Sequence, residues 1–324
     1  MKLSKNKYIC RLFYDYKWEI AYRHISNKEE IVESNKLYEY KTLEFPKGFW
    51  GADPFLFEKD GETFVFFEYT DVKKYKSVLA VQKISPSLGD LVVIYEFDVH
   101  TSYPCIFEWD NELYIIPETV DASCIQLLRC SRWPYKWEKV CDLISNVKCV
   151  DTTFVLIENK PYIQTYYWDE EGYHVYVAEL DFTSKCVKDF RIVKSYNTNL
   201  GRSGGHFLHS KGNLIRVVQP RARFYGEQID FYNVKFDGVN YREDKISEFL
   251  PEQIKTDKKL NIVGVHTYNR SEHFEVVDLR IDYKFDFFRP IKRVFQIFEL
   301  FGYGLNDFRH KYINGKYPLH LDNK

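Results

Sequence analysis

Residues 52–68 read ADPFLFEKDGETFVFFE, two apolar runs of aromatic and β-branched residues on either side of an Asp60-Gly61 pair. Such a pair between strand-like runs is a strong short-range sign of a β-hairpin, because both residues tolerate the positive φ of a tight turn. The arrangement returns three times. Residues 103–118 read YPCIFEWDNELYIIPE, residues 151–166 DTTFVLIENKPYIQTY and residues 204–219 GGHFLHSKGNLIRVVQ. Turn pairs recur at the same offset, at Asp110-Asn111, Glu158-Asn159 and Lys211-Gly212. The second runs end at Glu68, Glu118, Tyr166 and Gln219. A weaker fifth copy starts at Gly264, turns at Ser271 and carries Val276, Val277 and Asp278. Starts lie 50, 48, 53 and 60 residues apart. A hairpin unit at that period predicts an all-β chain folded as a five-bladed β-propeller, here over residues 1–286. In that architecture the inner strands of all blades meet around one axis, so residues distant in sequence converge on one funnel.

Composition narrows the function. The 324 residues carry a formal net charge of −1, against the strongly basic balance of a nucleic-acid binder, so no nucleic-acid partner is expected. Aromatic residues make up 18% of the chain, which suits sheets packed face to face. Flat Tyr and Trp faces also stack on sugar rings. The amino-terminal stretch MKLSKNKYICRLFYDYKWEIAYR lacks the apolar run of a signal peptide, and no run of 18 apolar residues occurs. Seven cysteines form no C-x-x-C pair. These features lead to an expectation of reduced thiols, a cytoplasmic location, no metal and no cofactor.

Residues 17–22 alternate like a strand and precede the first full unit, so they are expected to complete the last blade. Residues 36–50 are read as the lead-in to the first hairpin. Beyond Pro290 the apolar residues Ile291, Val294, Phe295, Phe298 and Phe301 recur at helical spacing, with Gly302 and Gly304 as stops. A helical tail over 287–324 is therefore expected. Residues 287–301 either pack on the propeller or lie against a membrane, with Arg289, Lys292 and Arg293 beside anionic lipid.

If the units superpose, their ends converge near the axis: Asp53, Tyr103, Asp151 and Gly204 at the starts, then Glu68, Glu118, Tyr166, Gln219 and Asp278. Repeated carboxylates at equivalent places either cap backbone amides at blade edges or gather into a site. The fourth unit adds Arg202, His206, Arg216, Arg221 and Arg223, and the fifth adds His266 and Arg270. Planar guanidinium groups beside carboxylates suit a phosphorylated sugar, since Arg binds phosphate oxygens bidentately. Arg216 either faces the funnel or pairs inside a blade. Arg223 is expected to pair with Glu227 or Asp230 at the surface.

The string Gly51-Ala52-Asp53-Pro54-Phe55-Leu56-Phe57, followed by Asp60-Gly61, resembles the first blade of family 43 glycoside hydrolases, which are five-bladed propellers. That resemblance implies a general-base role for Asp53. Two departures follow. Tyr103-Pro104 stands where Asp-Pro is expected, and Arg202-Ser203-Gly204-Gly205-His206 where Glu-Gly-Pro-His is expected. A closer resemblance covers Ala52–Glu68, Ser102–Glu118, Gly201–Gly226 and His266–Asp278. These segments are similar to the propeller at the amino end of glucosamine inositolphosphorylceramide transferases, and that similarity implies a link to glycolipid or polysaccharide assembly.

Three functions are compatible with these residues. The first is sugar transfer from a phosphorylated donor, a nucleotide sugar or a phosphoribosyl diphosphate, to a glycan or lipid-linked acceptor at the inner membrane face. There Asp53 would be the base, Glu118 or Asp151 would assist it, and Arg202, Arg216 and Arg221 would meet the phosphate. Glu68, Tyr103, His206, Gln219, Tyr225, His266 and Asp278 would complete the binding surface. The second is glycoside hydrolysis with Glu118 as an altered acid. The third is a glycan-binding module without catalysis, working beside a separate transferase.

Overall fold

The computed structural model describes residues 14–26, 31, 36–72, 74 and 76–285. The helix expected over 287–301 and Cys10 lie outside the described residues. Strands β1 (Tyr14–His24) and β2 (Tyr38–Thr42) come first and belong to the last blade. The first blade is β3 (Phe49–Lys59), β4 (Glu62–Asp71), β5 (Lys76–Ser85) and β6 (Leu91–Tyr95). The second is β7 (Ser102–Trp109), β8 (Glu112–Glu118), β9 (Cys124–Arg132) and β10 (Lys136–Ser145). The third is β11 (Val150–Ile157), β12 (Lys160–Asp169), β13 (Gly172–Asp181) and β14 (Cys186–Tyr196). The fourth is β15 (Leu208–Ser210), β16 (Asn213–Val218), β17 (Ile229–Phe236) and β18 (Tyr241–Phe249). Then come β19 (Ile254–Thr256), β20 (Ile262–Arg270) and β21 (Phe274–Phe285). Among the described residues no helix is long and apolar enough to cross a membrane.

The four full hairpins turn where the sequence places them. Both residues of each pair have positive φ: 54° and 76° at Asp60-Gly61, 51° and 60° at Asp110-Asn111, 49° and 63° at Glu158-Asn159, 50° and 77° at Lys211-Gly212. Two successive positive φ values define the turn whose twist matches paired strands. Packing between blades then joins the hairpins. Phe55, Phe66, Ile106, Ile115 and Ile163 share one buried cluster, and the Phe107 and Phe154 rings stack 3.9 Å apart between the second and third blades. Each such buried side chain contributes about 1.5–3 kcal/mol.

The fifth sheet has the order β19-β2-β1-β21-β20. Strand β1 pairs with β21 from Tyr14↔Phe285 to His24↔Phe274, so the amino-terminal segment closes the ring as expected. Residues 38–42 differ from expectation: they form a further strand of this blade. Glu275, on β21 and 1% exposed, joins the closure. It accepts from Arg23 Nε at 2.7 Å, Tyr40 Oη at 3.1 Å and Tyr268 Oη at 2.5 Å, with Arg270 Nη1 at 3.2 Å.

The fifth hairpin is also offset from the expected template. Its irregularity falls between Val265↔Leu279 and Tyr268↔Val277. In the first blade the corresponding pairs are Ala52↔Glu68 and Phe55↔Phe66. His266, not Gly264, is therefore the counterpart of Asp53, and Leu279 rather than Asp278 is the counterpart of Glu68. The start is thus two residues and the end one residue from the place that constant spacing gives, and the one-residue slip at the end exchanges faces on a pleated strand.

Candidate functional site

The inner strands of the first three blades each break register once, at Asp53, Tyr103 and Asp151. These residues have φ of 50°, 48° and 50°, an unusual conformation for side chains other than glycine, costing about 1–3 kcal/mol each. Carboxylates of neighbouring blades secure two of the displaced amides. The Asp53 N–H donates to Asp278 Oδ2 at 2.9 Å, and the Asp151 N–H to Glu118 Oε2 at 3.3 Å. Part of the repeated acidity is thus structural capping. Tyr103 points elsewhere: its hydroxyl contacts Thr153 Oγ1 at 2.8 Å and accepts the Gly205 N–H at 2.9 Å.

Asp53 and Asp278 hold His266 between them. His266 Nε2 lies 3.1 Å from Asp53 Oδ1, and Nδ1 lies 2.6 Å from Asp278 Oδ2. Thr267 Oγ1 also donates to Asp53 Oδ1 at 3.1 Å. Burial opposes charge on His266, but Asp278 and then Asp53 outweigh it and carry the imidazole up to about 10. Trp18, on β1, covers the imidazolium at 4.2 Å between ring centroids with planes 30° apart. A folded-state value above the unfolded one (about 6.5) means that this charge stabilises fully below that pH and is lost as pH rises through about 10. The emission difference between the native chain and Trp18→Phe should rise with a midpoint near 10, as the quenching imidazolium loses its proton. A difference spectrum flat from pH 7 to 11 would contradict the assignment.

The second half of the cluster faces this one. Arg202 Nε and Nη2 both donate to Asp151, the latter at 3.2 Å to Oδ1, and Nη2 reaches Glu118 Oε2 at 3.4 Å. Gln219 Nε2 donates to Asp151 Oδ2 at 3.2 Å. Asp151 is 1% exposed. Burial pushes its carboxyl upward, Arg202 pulls back, and Glu118 and Asp53 push again, leaving it raised to about 7. Burial sets that direction, and one guanidinium shared by two acids does not cancel it.

A loop between β16 and β17 roofs both halves. The Tyr225 ring stands 4.9 Å from His266, and the Arg202 guanidinium lies 5.4 Å from the Tyr225 centroid. Burial pushes the Tyr225 phenol well up, so it stays neutral and offers a hydrogen. Glu227 staples the loop, accepting from the Ala222 and Arg223 amides at 2.7 and 3.0 Å and from Arg223 Nε at 2.6 Å. Arg223 therefore pairs at the surface as expected. The roof descends until a Cβ on Gly264 would meet the Gly226 carbonyl at 1.9 Å. Gly264→Ala should lift it, with a loss of about 1–3 kcal/mol measured by urea unfolding and less contact between Tyr225 and His266. An alanine variant of native stability would overturn that expectation.

The remaining expected residues divide differently. Glu68 sits apart, with Ser77 Oγ at 2.7 Å, Thr70 Oγ1 at 3.1 Å and His100 Nε2 at 3.2 Å. Arg216 is 1% exposed and pairs inside the fourth blade with Glu243 Oε2 at 2.8 Å and with the Gly201 carbonyl. It is committed there, away from the funnel position required of a phosphate ligand. His206 lies along the axis against the Ile106 carbonyl at 2.7 Å and the Phe55 ring, and burial lowers it to about 4. The Arg221 amide donates to the Asn199 carbonyl at 2.8 Å. Trp18 and Thr267 were missed. Trp18 could have been found from the alternation of residues 17–22, which puts it on one face with Ile20 and Tyr22. Ligand atoms of Asp53, His266 and Asp278 lie within 4.8 Å of one another, a spacing that could hold a metal ion. Both imidazole nitrogens already face carboxylates, so a cation would have to displace a proton held up to about 10.

A family model described as glucosamine inositolphosphorylceramide transferase 1, N-terminal, matches residues 37–282. Glucosamine inositolphosphorylceramide transferase 1 of Arabidopsis thaliana is 26% identical over 247 residues, covering 70% of this chain and 30% of its own length. The protein of the same name from Oryza sativa subsp. indica is 23% identical over 228 residues, covering 66% of this chain and 30% of its own. The chain thus spans about a third of the length of these relatives. Among solved structures, an α-L-arabinofuranosidase from Podospora anserina superposes with a TM-score of 0.54 at 7% identity, covering 84% of this chain and 98% of that one. A protein of unknown function from Dyadobacter fermentans gives 0.52 at 9% identity, covering 81% and 99%. At such identities the likeness is one of fold.

Proposed function

The chain belongs to the family of the N-terminal region of glucosamine inositolphosphorylceramide transferase 1, and on that premise we propose that it promotes sugar transfer in glycolipid assembly, from a phosphorylated donor to a lipid-linked acceptor. The observation that carries this reading is the unequal pair of acids. Asp53 is held beside a lasting imidazolium and Thr267, whereas Asp151 is raised to about 7 and shares one guanidinium with Glu118. Environments that separate two carboxylates assign them separate roles.

Asp151 is the proton acceptor near neutrality, and Asp53 is the fixed negative charge facing the sugar. These roles differ from the expectation of Asp53 as base: both acids touch a cation, but only Asp151 is buried beside a second and a third acid that raise it to about 7, so it is the one that takes up a proton near neutrality. The acceptor hydroxyl gives its proton to Asp151 while its oxygen bonds to the anomeric carbon. The carbon–oxygen bond to phosphate breaks, and its electron pair leaves with the phosphate. Once protonated, Asp151 holds Arg202 less tightly, so the guanidinium becomes available to the departing phosphate. Tyr225 donates a hydrogen bond from the roof. A lipid-linked acceptor would be met at the cytoplasmic membrane face, which flotation of the full chain with liposomes tests.

The test is incubation of the purified chain with nucleotide sugars and phosphoribosyl diphosphate, with and without lipid-linked acceptors. Consumption of a donor that depends on acceptor supports transfer. No donor bound or consumed across the panel removes the reading. Hydrolysis is a second reading, favoured by the same proton on Asp151, which could serve a leaving sugar as acid. Free sugar released without acceptor would identify it. The third possibility, a binding module, predicts glycan binding with no turnover.

A further inference from the structure

Arg202 owes its position to a short segment of backbone held from outside the carboxylate cluster. The Gly201 carbonyl accepts from Arg216 Nη2. The other arm of the same guanidinium, Nη1, donates to Glu243 Oε2 at 2.8 Å. Glu243 stands on β18, the outermost strand of the fourth blade, and Tyr241 Oη at 2.7 Å and Tyr196 Oη fix its carboxylate. Tyr241 is tied in turn to the third blade by Gln164 Nε2 at 3.2 Å. Beside this, the Tyr166 hydroxyl donates to Asn199 Oδ1 at 2.9 Å, two residues before Gly201. There is no room for drift: a Cβ on Gly201 would lie 2.3 Å from the Tyr196 ring. The segment ends in the Arg202 carbonyl, which accepts the Gln219 N–H at 2.8 Å.

We propose that Arg216 and Glu243 are positioning residues that hold Arg202 against Asp151 by gripping the backbone at Gly201, and so set the proton affinity of Asp151. The inference rests on Asp151 being the working acid of the proposed function, but its test needs no turnover. A buried arginine next to a glutamate is ordinarily a structural pair, worth little beyond its own satisfaction. Here the fork is split. One arm answers Glu243 and the other answers the one carbonyl that precedes Arg202, a geometry that a lysine cannot reproduce. The groups facing Asp151 are Arg202 and Tyr225 from the fourth blade, Glu118 and Tyr103 from the second and Asp53 from the first. Those facing Glu243 are Arg216, Tyr196, Tyr241, Lys194 and Asp244, and burial first of all raises its carboxyl to about 7. Glu243→Gln removes that second titration while keeping an oxygen for Arg216.

The experiment is carboxyl-carbon NMR of Asp-labelled full chain, with Asp151→Asn identifying the Asp151 signal. Arg216→Lys keeps the ion pair to Glu243 and loses the grip on Gly201. The Asp151 midpoint should move upward by about one pH unit, a tenfold rise in proton affinity, as Arg202 loosens. Glu243→Gln should leave it within a few tenths of a unit. Tyr166→Phe, which releases Asn199 in the same segment while keeping the buried ring, should shift it in the same direction by less. If both Arg216→Lys and Tyr166→Phe leave the midpoint in place, or Arg216→Lys only lowers the melting temperature, the pair is structural and the proposal fails. Absence of sugar transfer with the shift present would refute the proposed function alone.

Discussion

Replacing Glu275 by alanine is expected to lower stability by about 3–5 kcal/mol, the range for removing one partner from a buried ion pair. The effect is large because this carboxylate serves four groups at once. Arg23 belongs to β1, Tyr40 to β2, and Tyr268 and Arg270 to β20, so the loss falls on the contacts that close the ring. Cations and phenols would be left buried in a place shaped for a negative charge. Thermal scans should show a midpoint lower by about 2–4 °C for each kcal/mol. Because β1 also carries Trp18, the variant should lose the stacking on His266 before the other blades unfold. Urea unfolding that finds less than about 1 kcal/mol would mean that strand pairing alone closes the ring.

The fold was legible because hairpin chemistry is local. Asp-Gly, Asp-Asn, Glu-Asn and Lys-Gly pairs announce their turns without reference to the rest of the chain, and a constant offset then fixes the strands on either side. The carboxylates Asp53, Glu118 and Asp151 could be singled out for the same reason, since they sit at fixed places in that repeat. Their partners could not. Arg202 is bound to residues 51 and 84 positions away in sequence, and His266 to one more than 200 away. Pairing at that range is decided by how the blades close. Irregular segments were the other loss. In the fifth unit a shift of two residues at the start of the hairpin was enough to hide that His266, not Gly264, stands where Asp53 does. Arg216 showed the limit of residue type as a guide. Its charge suggested a ligand, but a pleated strand fixed the direction of its side chain, and Glu243, two strands away in the same blade, settled its partner.

Asp151→Asn should reduce turnover by at least ~10²-fold, the lower end of what a positioned acid or base contributes, while donor binding persists. Asparagine cannot accept the proton, but it leaves Arg202 in place and relieves it of one anionic partner, so a phosphorylated donor should bind as well or better. The pH profile separates the two catalytic readings. If Asp151 is the base for an acceptor hydroxyl, the rate rises with pH through about 7, because the ionised form works. If it is the acid for a leaving sugar, the rate falls through the same value. Unfolding cannot imitate the rising limb. Asp151 has a folded value above its unfolded one of about 3.9, so its contribution to stability is complete below that pH and is lost as pH rises through about 7. Loss of stability would therefore produce a falling limb. Asp53→Asn should also lose at least ~10²-fold, yet keep a limb near 7, since it removes the fixed charge and leaves the titrating acid. A pH-independent rate in the native chain, or an Asp151→Asn variant within threefold of it, would exclude Asp151 from the chemistry altogether.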